Sequence, residues 1–385
     1  MRSRSAFERS TLRSVVLGVV SAFAFLAPGC GSDTSGGPGF GNTVGSGNTL
    51  GMGGGSGSLG GSATSSSGSG QGGTTGGTGG FGGAGTGGGA TDDGGVDAAP
   101  NDARPAGDAN DSGLVDLKMM TFNIRYANPA DGVNAWPNRR NLVYQVIRDQ
   151  NLDTAGLQEA LVAQVQDLEA ALPEFHRIGV GRDDGVNAGE FSAILYRASR
   201  FDVESSGTFW FSDTPEVPGS SSWGNASIRI CTWGRFVEHG TGRAFYQFNV
   251  HLDNVSEPAN EKSVQLLMAR VVARQFPTDP FIVTGDFNSS ESQPPVRYMT
   301  GAAPIATMAN PIPTIDSFRQ LYPNATGIGT FHNFLGGTGG DKIDFIFMGP
   351  GERAVAAEII RTQQNGLYPS DHYPVTATID ILGWN

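Results

Sequence analysis

The fold class that the sequence predicts for residues 114–385 is an α+β layered sandwich rather than a doubly wound parallel sheet. Three observations point to it. Short runs rich in Val, Ile, Phe and Tyr recur through this stretch, bounded by Gly, Pro and Asn/Asp. Only a few segments carry the apolar spacing of a helix. Several strands follow one another with no helix between them, whereas a doubly wound sheet alternates the two. A stretch of this length can bury one large core.

In chain order, residues 117–124 (LKMMTFNI) read as a strand ending in Asn123 and Arg125. Leu142, Val143, Val146 and Ile147 have helical spacing behind Pro137. Residues 152–157 form a second strand that ends in Gln158-Glu159. A helix then places Leu161, Val165, Leu168 and Leu172 on one stripe and stops at Pro173. Residues 175–180, 191–196, 201–211, 228–237 and 245–250 read as strands. The turn Arg182-Asp183-Asp184-Gly185 lies among them, and Glu190 stands just before the second of them. The last of these strands delivers His251 and Asp253. Residues 261–275 make an amphipathic helix (Val264, Leu267, Met268, Val271, Val272), and FIVTGDFN at 281–288 runs from a buried strand to Asp286 and Asn288. On an extended strand these two side chains share a face. Strands at 343–348, carrying Asp344, and at 375–381 close the chain, with Ser370-Asp371-His372 between them.

Residues 1–30 have the layout of an export signal: Arg2, Arg4, Arg9 and Arg13 precede an apolar run too short to span a bilayer. The run ends in Leu26-Ala27-Pro28-Gly29-Cys30, which resembles a bacterial lipobox with Ala27 at a position usually held by Leu. The expectation is a lipoprotein anchored to the cell envelope through Cys30; an ordinary cleaved signal would give a secreted protein instead. Cys231 is the only other cysteine, so an acylated Cys30 leaves no disulfide. Residues 31–113 collapse to Gly, Ser, Thr and Ala and then turn acidic. Such a segment has too little apolar surface to offset chain entropy and reads as a disordered tether.

Asn123, Glu159, His251, Asp286 with Asn288, Asp344, and Asp371-His372 all stand at strand ends. One polar strand end is ordinary; this many, with oxygen donors and two histidines, suggest a shared edge. The chain carries a formal charge of −12, and residues 114–385 contain only Lys118, Lys262 and Lys342 as lysines. That counts against an electrostatic grip on long nucleic acid.

The order NIR, LQE, GE…LYR, NVHLD, GDFN, KIDFIF and SDHYPV closely resembles the endonuclease/exonuclease/phosphatase family, over nearly all of residues 114–385. The resemblance implies a four-layered sandwich of the DNase I type, two packed mixed β-sheets flanked by helices, and hydrolysis of a phosphate ester; the expected state is a monomer. It implies Mg²⁺ as cofactor, with Mn²⁺ or Ca²⁺ as alternatives, held by Glu159 with Asn123 and Asp371. Mg²⁺ prefers oxygen donors and keeps several waters, which suits one firm carboxylate plus substrate phosphate. The resemblance makes His372, oriented by Asp344, the histidine at the scissile phosphate. His251, paired with Glu190, is the second histidine, and Asp286 orients or activates water. Asn288, Arg125 and Asp253 fall on the substrate side, as do Arg139, Arg140 and Arg182, for which surface ion pairs are an equal reading. Within the family a phosphodiester or phosphomonoester is the expected substrate. A DNase-like endonuclease, a sphingomyelinase-like diesterase and a non-catalytic surface binding module are the alternatives.

Overall fold

The structure, a computed structural model, describes residues 115–381; the leader, Cys30 and the Gly/Ser-rich segment lie outside the described residues. The first sheet is built from β1 (Val115–Asn123), β2 (Thr154–Gln158), β3 (Phe175–Ile178), β4 (Ile194–Arg197), β11 (Glu352–Ile359) and β12 (Val375–Ile381). Its strand order is β11-β12-β1-β2-β4-β3, with β1 and β2 parallel and the other pairs antiparallel. The second sheet contains β5 (Phe201–Trp210), β6 (Ile230–Glu238), β7 (Ala244–His251), β8 (Phe281–Asp286), β9 (Ile315–Asp316) and β10 (Asp344–Met348). Its order is β5-β6-β7-β8-β10-β9, with only β7 and β8 parallel. Both sheets are therefore mixed, as expected.

The strand alternation sets the layers. Leu117 and Met119 of β1 join Phe236, Phe245, Ile282 and Ile346 in an apolar cluster between the sheets. Met120, Phe122 and Ile124 point the other way, onto α1 (Trp136–Asp149) and α2 (Val162–Ala171). On the far side, Phe248, Val250 and Val283 pack against α3 (Glu257–Val272) and α4 (Pro294–Met299). Three apolar interfaces thus separate four layers. Among the described residues, no helix is long and apolar enough to cross a membrane. Cys231 is buried and free.

Toward the site, the inter-sheet layer becomes polar. Gln158 Nε2 donates to Thr121 Oγ1 and to Asn249 Oδ1, which also accepts from Thr284 Oγ1. Gly156 allows this approach: a Cβ there would lie 2.3 Å from Thr284 Oγ1 and 2.4 Å from Asn249 Oδ1.

Several elements differ from expectation. Helix α3 starts four residues before the expected 261, because Ser256 caps it by accepting from the Ala259 N–H and Pro258 suits its first turn. The short helices α4 and α5 (Ser317–Leu321) were not expected, nor was β11. Strand β11 reads ERAVAAEI, with three alanines and little β-branched character, and only its pairing with β12 makes it a strand.

Strand β11 also carries Glu352, buried with Oε2 unpartnered. Burial pushes this carboxyl up from 4.5 to about 7. The folded chain thus keeps a proton that the unfolded chain releases, and stability falls as pH rises from 4.5 toward 7. The loss is on the order of 3 kcal/mol. Glu352→Gln should remove this slope, so thermal unfolding at about pH 5 and about pH 8 should differ less in the variant than in the natural chain. An unchanged slope would place the titration elsewhere.

Candidate active site

The site lies where one end of each sheet meets the other. In the second sheet, His251 of β7 is the register partner of Asp286 of β8, and Asp286 is the partner of Asp344 of β10. Three adjacent strands therefore set these residues in one row. His372 joins them because the segment before β12 pairs with residue Phe331. In the first sheet Asn123 pairs with Gln158, which puts Glu159 just beyond the end of β2. Three non-glycine residues leave these strands in the left-handed region: Arg125 (φ 56°), Glu159 (φ 63°) and Asn288 (φ 44°). Such strain persists only where the surroundings impose it. Here it turns each chain sharply at the site.

His372 Nδ1 lies 2.9 Å from Asp344 Oδ2, and its Nε2 lies 3.8 Å from Asp286 Oδ2. Burial works against a charged His372, but Asp344 and Asp286 outweigh it and lift the imidazole to about 10. Burial and the neighbouring Asp344 push Asp286 up to about 7. His251 Nε2 is 3.6 Å from the same Asp286 oxygen, and its Nδ1 is 3.7 Å from Glu190. Burial, helped by the positive charges of Arg229 and Arg182, holds His251 well below its ordinary value, so it is neutral. Glu190, itself raised by burial, engages Arg182 at 2.7 Å. The floor of the cleft is thus one carboxylate between a cationic and a neutral imidazole.

Beside it stand Glu159 and Asp371, both lining a cleft of about 730 Å³. Asn123 Nδ2 donates to Glu159 Oε1 at 3.1 Å and to Asp286 Oδ2 at 2.9 Å. Asp286, Asp344 and His372 also bring one ligand atom each within 4.8 Å of one another, but they are buried and engaged with one another. Of the five carboxylates that line the cleft, Asp131 is held by Arg125, Glu190 by Arg182 and Asp286 lies between the two imidazoles, which leaves Glu159 and Asp371. Their all-oxygen chemistry, with burial and Glu159 pushing the Asp371 carboxyl up, fits a hard divalent cation. Those two would hold it.

Several expectations need correcting. Asn123 is not turned as a metal ligand: the Arg125 N–H, swung back by its left-handed conformation, donates to Asn123 Oδ1, leaving the amide nitrogen to orient Glu159 and Asp286. The Arg125 fork, part of the cleft lining, is engaged by Asp131 along one edge, through Nε at 3.2 Å and Nη2 at 3.1 Å, while Nη1 lies 3.9 Å from Glu159 Oε2. Asp253 is buried and absent from the cleft lining; it accepts from the N–H groups of Ser227, Val255 and Ser256 and shapes the loop before α3. Arg139 is fully buried, and its guanidinium donates to the carbonyls of Ile124, Arg125, Asn134 and Pro369. It ties the two chain segments of the site together and meets no substrate. Arg140 pairs with Asp167 on the surface. Asn288 lines the cleft, with one amide hydrogen on Leu252 O and its backbone N–H on Asp286 Oδ1. Tyr126, Arg229, Phe331 and Phe334 line the cleft without having been singled out in the sequence.

Comparison with known proteins gives a consistent result. Residues 120–372 match the model of the Endonuclease/Exonuclease/phosphatase family. An endonuclease/exonuclease/phosphatase from Bacteroides vulgatus is 37% identical, with a TM-score of 0.63 over 69% of this chain and 99% of that one. The mannosyl-6-phosphatase of Bacteroides thetaiotaomicron is 31% identical, with a TM-score of 0.60 over 68% of this chain and 99% of that one. An uncharacterized protein of Acanthamoeba polyphaga mimivirus is 30% identical over 185 residues, 46% of this chain and 68% of its own length.

Proposed function

The chain belongs to the endonuclease/exonuclease/phosphatase family, and we propose that it is an exported, Mg²⁺-dependent hydrolase of a small phosphomonoester, with a sugar phosphate favoured over nucleic acid. That it is an enzyme, a metal-dependent phosphoric ester hydrolase, follows from the family; the binding-module alternative is set aside. The observation that carries the finer reading is the composition of the cleft. Five carboxylates line it (Asp131, Glu159, Glu190, Asp286 and Asp371), against two arginines, Arg125 and Arg229, and no lysine. A single phosphate beside a bound cation suits such a site, and a polyanion does not. The likeness to a mannosyl-6-phosphatase supports a sugar phosphate. The charged, apolar leader supports export, with Cys30 as a lipid anchor.

Glu159 and Asp371 would hold the divalent cation, which would supply Lewis-acid polarisation of the phosphoryl oxygens. The chain's own residues do the rest. Asp286, near neutrality and flanked by two imidazoles, accepts a proton from the attacking water. His372, held cationic by Asp344, donates toward charge on the phosphoryl group or the leaving oxygen. Neutral His251 and the remaining amide hydrogen of Asn288 donate to the other oxygens.

The test is hydrolysis by the purified full chain, with Mg²⁺ and with chelator, of a hexose phosphate beside a simple phosphodiester. The monoester should be cut faster by about tenfold or more, and only with the metal. Faster cleavage of the diester, or turnover in chelator, would overturn this reading.

A further inference from the structure

We propose that Phe331, with Phe334 beside it at the cleft mouth, is the platform that recognises the leaving group, and that this group is a saturated sugar ring; this rests on the phosphoesterase reading above.

Phe331 is 45% exposed, so its phenyl forgoes much of the hydrophobic gain of burial. It does not sit on a loose loop. The Tyr373 N–H donates to Thr330 O at 2.7 Å, and the N–H groups of His332 and Asn333 donate to Asp371 O at 2.8 and 3.1 Å. The segment is pinned to the strand entry that carries His372. The Phe331 ring lies 5.0 Å from the His372 imidazole, at 57°. A group resting on this phenyl therefore adjoins the histidine assigned to the phosphoryl group, which is where the ester's organic part must lie.

The two residues that end the segment are both left-handed, Asn333 at φ 50° and Phe334 at φ 61°. An aromatic residue there is an outlier that its surroundings must impose. Part of the imposition is visible: the Arg139 guanidinium, fixed on its four carbonyls, lies 5.7 Å from the Phe334 ring. The strained turn presents a second phenyl to the same cleft.

The polar groups at this mouth complete the chemistry. The side-chain amides of Asn134 and Asn333 line the cleft, and among the described residues neither has a hydrogen-bond partner. A sugar ring offers an apolar C–H face to a phenyl and hydroxyls at its edge to amides. An acyclic polyol offers no such face; a planar base would stack on the same phenyl, so the nucleotide arm of the experiment separates the two.

The experiment compares kcat/KM of the full chain, in Mg²⁺, for a hexose 6-phosphate, for glycerol phosphate and for a nucleoside monophosphate. The natural chain should prefer the hexose ester to the glycerol ester by about five- to tenfold, the scale of one aromatic contact. Phe331→Ala should bring that ratio close to one by raising KM for the hexose ester, and Phe331→Tyr should restore it. Equal loss on both esters would mean that Phe331 acts only through His372, and the platform would be wrong. Preference for the nucleotide would overturn the sugar assignment. No turnover of any ester would count against the phosphoesterase reading alone. In that case calorimetric binding of the hexose phosphate to the natural chain and to Phe331→Ala decides the platform, and equal affinity overturns it.

Discussion

Replacing His372 with alanine is expected to lower kcat by about a thousandfold or more and to destabilise the fold as well, by separable routes. The activity falls because the cationic donor facing the phosphoryl group is gone. The stability falls because Asp344 and Asp286 are 0% and 1% exposed, and Asp344 Oδ1 already lacks a partner. Without the imidazolium, two carboxylates share one buried corner. Breaking a buried ion pair from one side costs roughly 3–5 kcal/mol. The double variant Asp344→Asn, His372→Ala removes one of the two charges. It should regain most of that stability while regaining no activity. Thermal unfolding beside single-turnover kinetics separates the two effects. Activity within about tenfold of the natural chain would remove His372 from the reacting phosphate. An equally stable single variant would mean that the corner is not ionised.

Much of this corner is legible in the sequence. Period-two alternation and a polar last residue identify strands that aim at a common edge, and His251, Asp286 and Asp344 do form one row across adjacent strands. The sandwich followed from strands joined without helices, and the layers from which face of β1 is apolar. What remained hidden was of two kinds. One was the direction of a side chain after a strand ends. Nothing in NIR announces a left-handed Arg125, and that turn decides that Asn123 offers nitrogen rather than oxygen to the site. The other was contact between residues remote in sequence. Arg139 lies in a helix whose pattern suggests an exposed face, yet it hydrogen-bonds to Pro369 O, 230 residues away. Arg229 and Phe331 reach the cleft by tertiary packing, and no local pattern separates them from other strand and loop residues. Asp253 shows the converse. It follows a strand-end histidine, yet three backbone N–H groups claim its carboxylate before any substrate can.

Glu159→Gln is the change expected to act on the metal with the least disturbance of the fold. Glu159 is only partly buried, and a glutamine can still accept from the Tyr126 N–H through its carbonyl oxygen. What it loses is the charge a hard divalent cation requires, so turnover should fall about a thousandfold or more. A second readout is independent of turnover. A ligand that binds only the folded chain stabilises it by RT ln(1 + [L]/Kd), so Mg²⁺ should raise the Tm of the natural chain and barely move that of the variant. Without metal the variant should be somewhat less stable, because its amide nitrogen faces the Asn123 Nδ2 donor and Arg125 loses a carboxylate 3.9 Å away. The Mg²⁺ shift, not the starting Tm, therefore distinguishes a ligand from a scaffold residue. A scaffold carboxylate would leave the Mg²⁺ shift intact on substitution, whereas loss of a ligand abolishes it, and only the second pattern assigns the cation to Glu159.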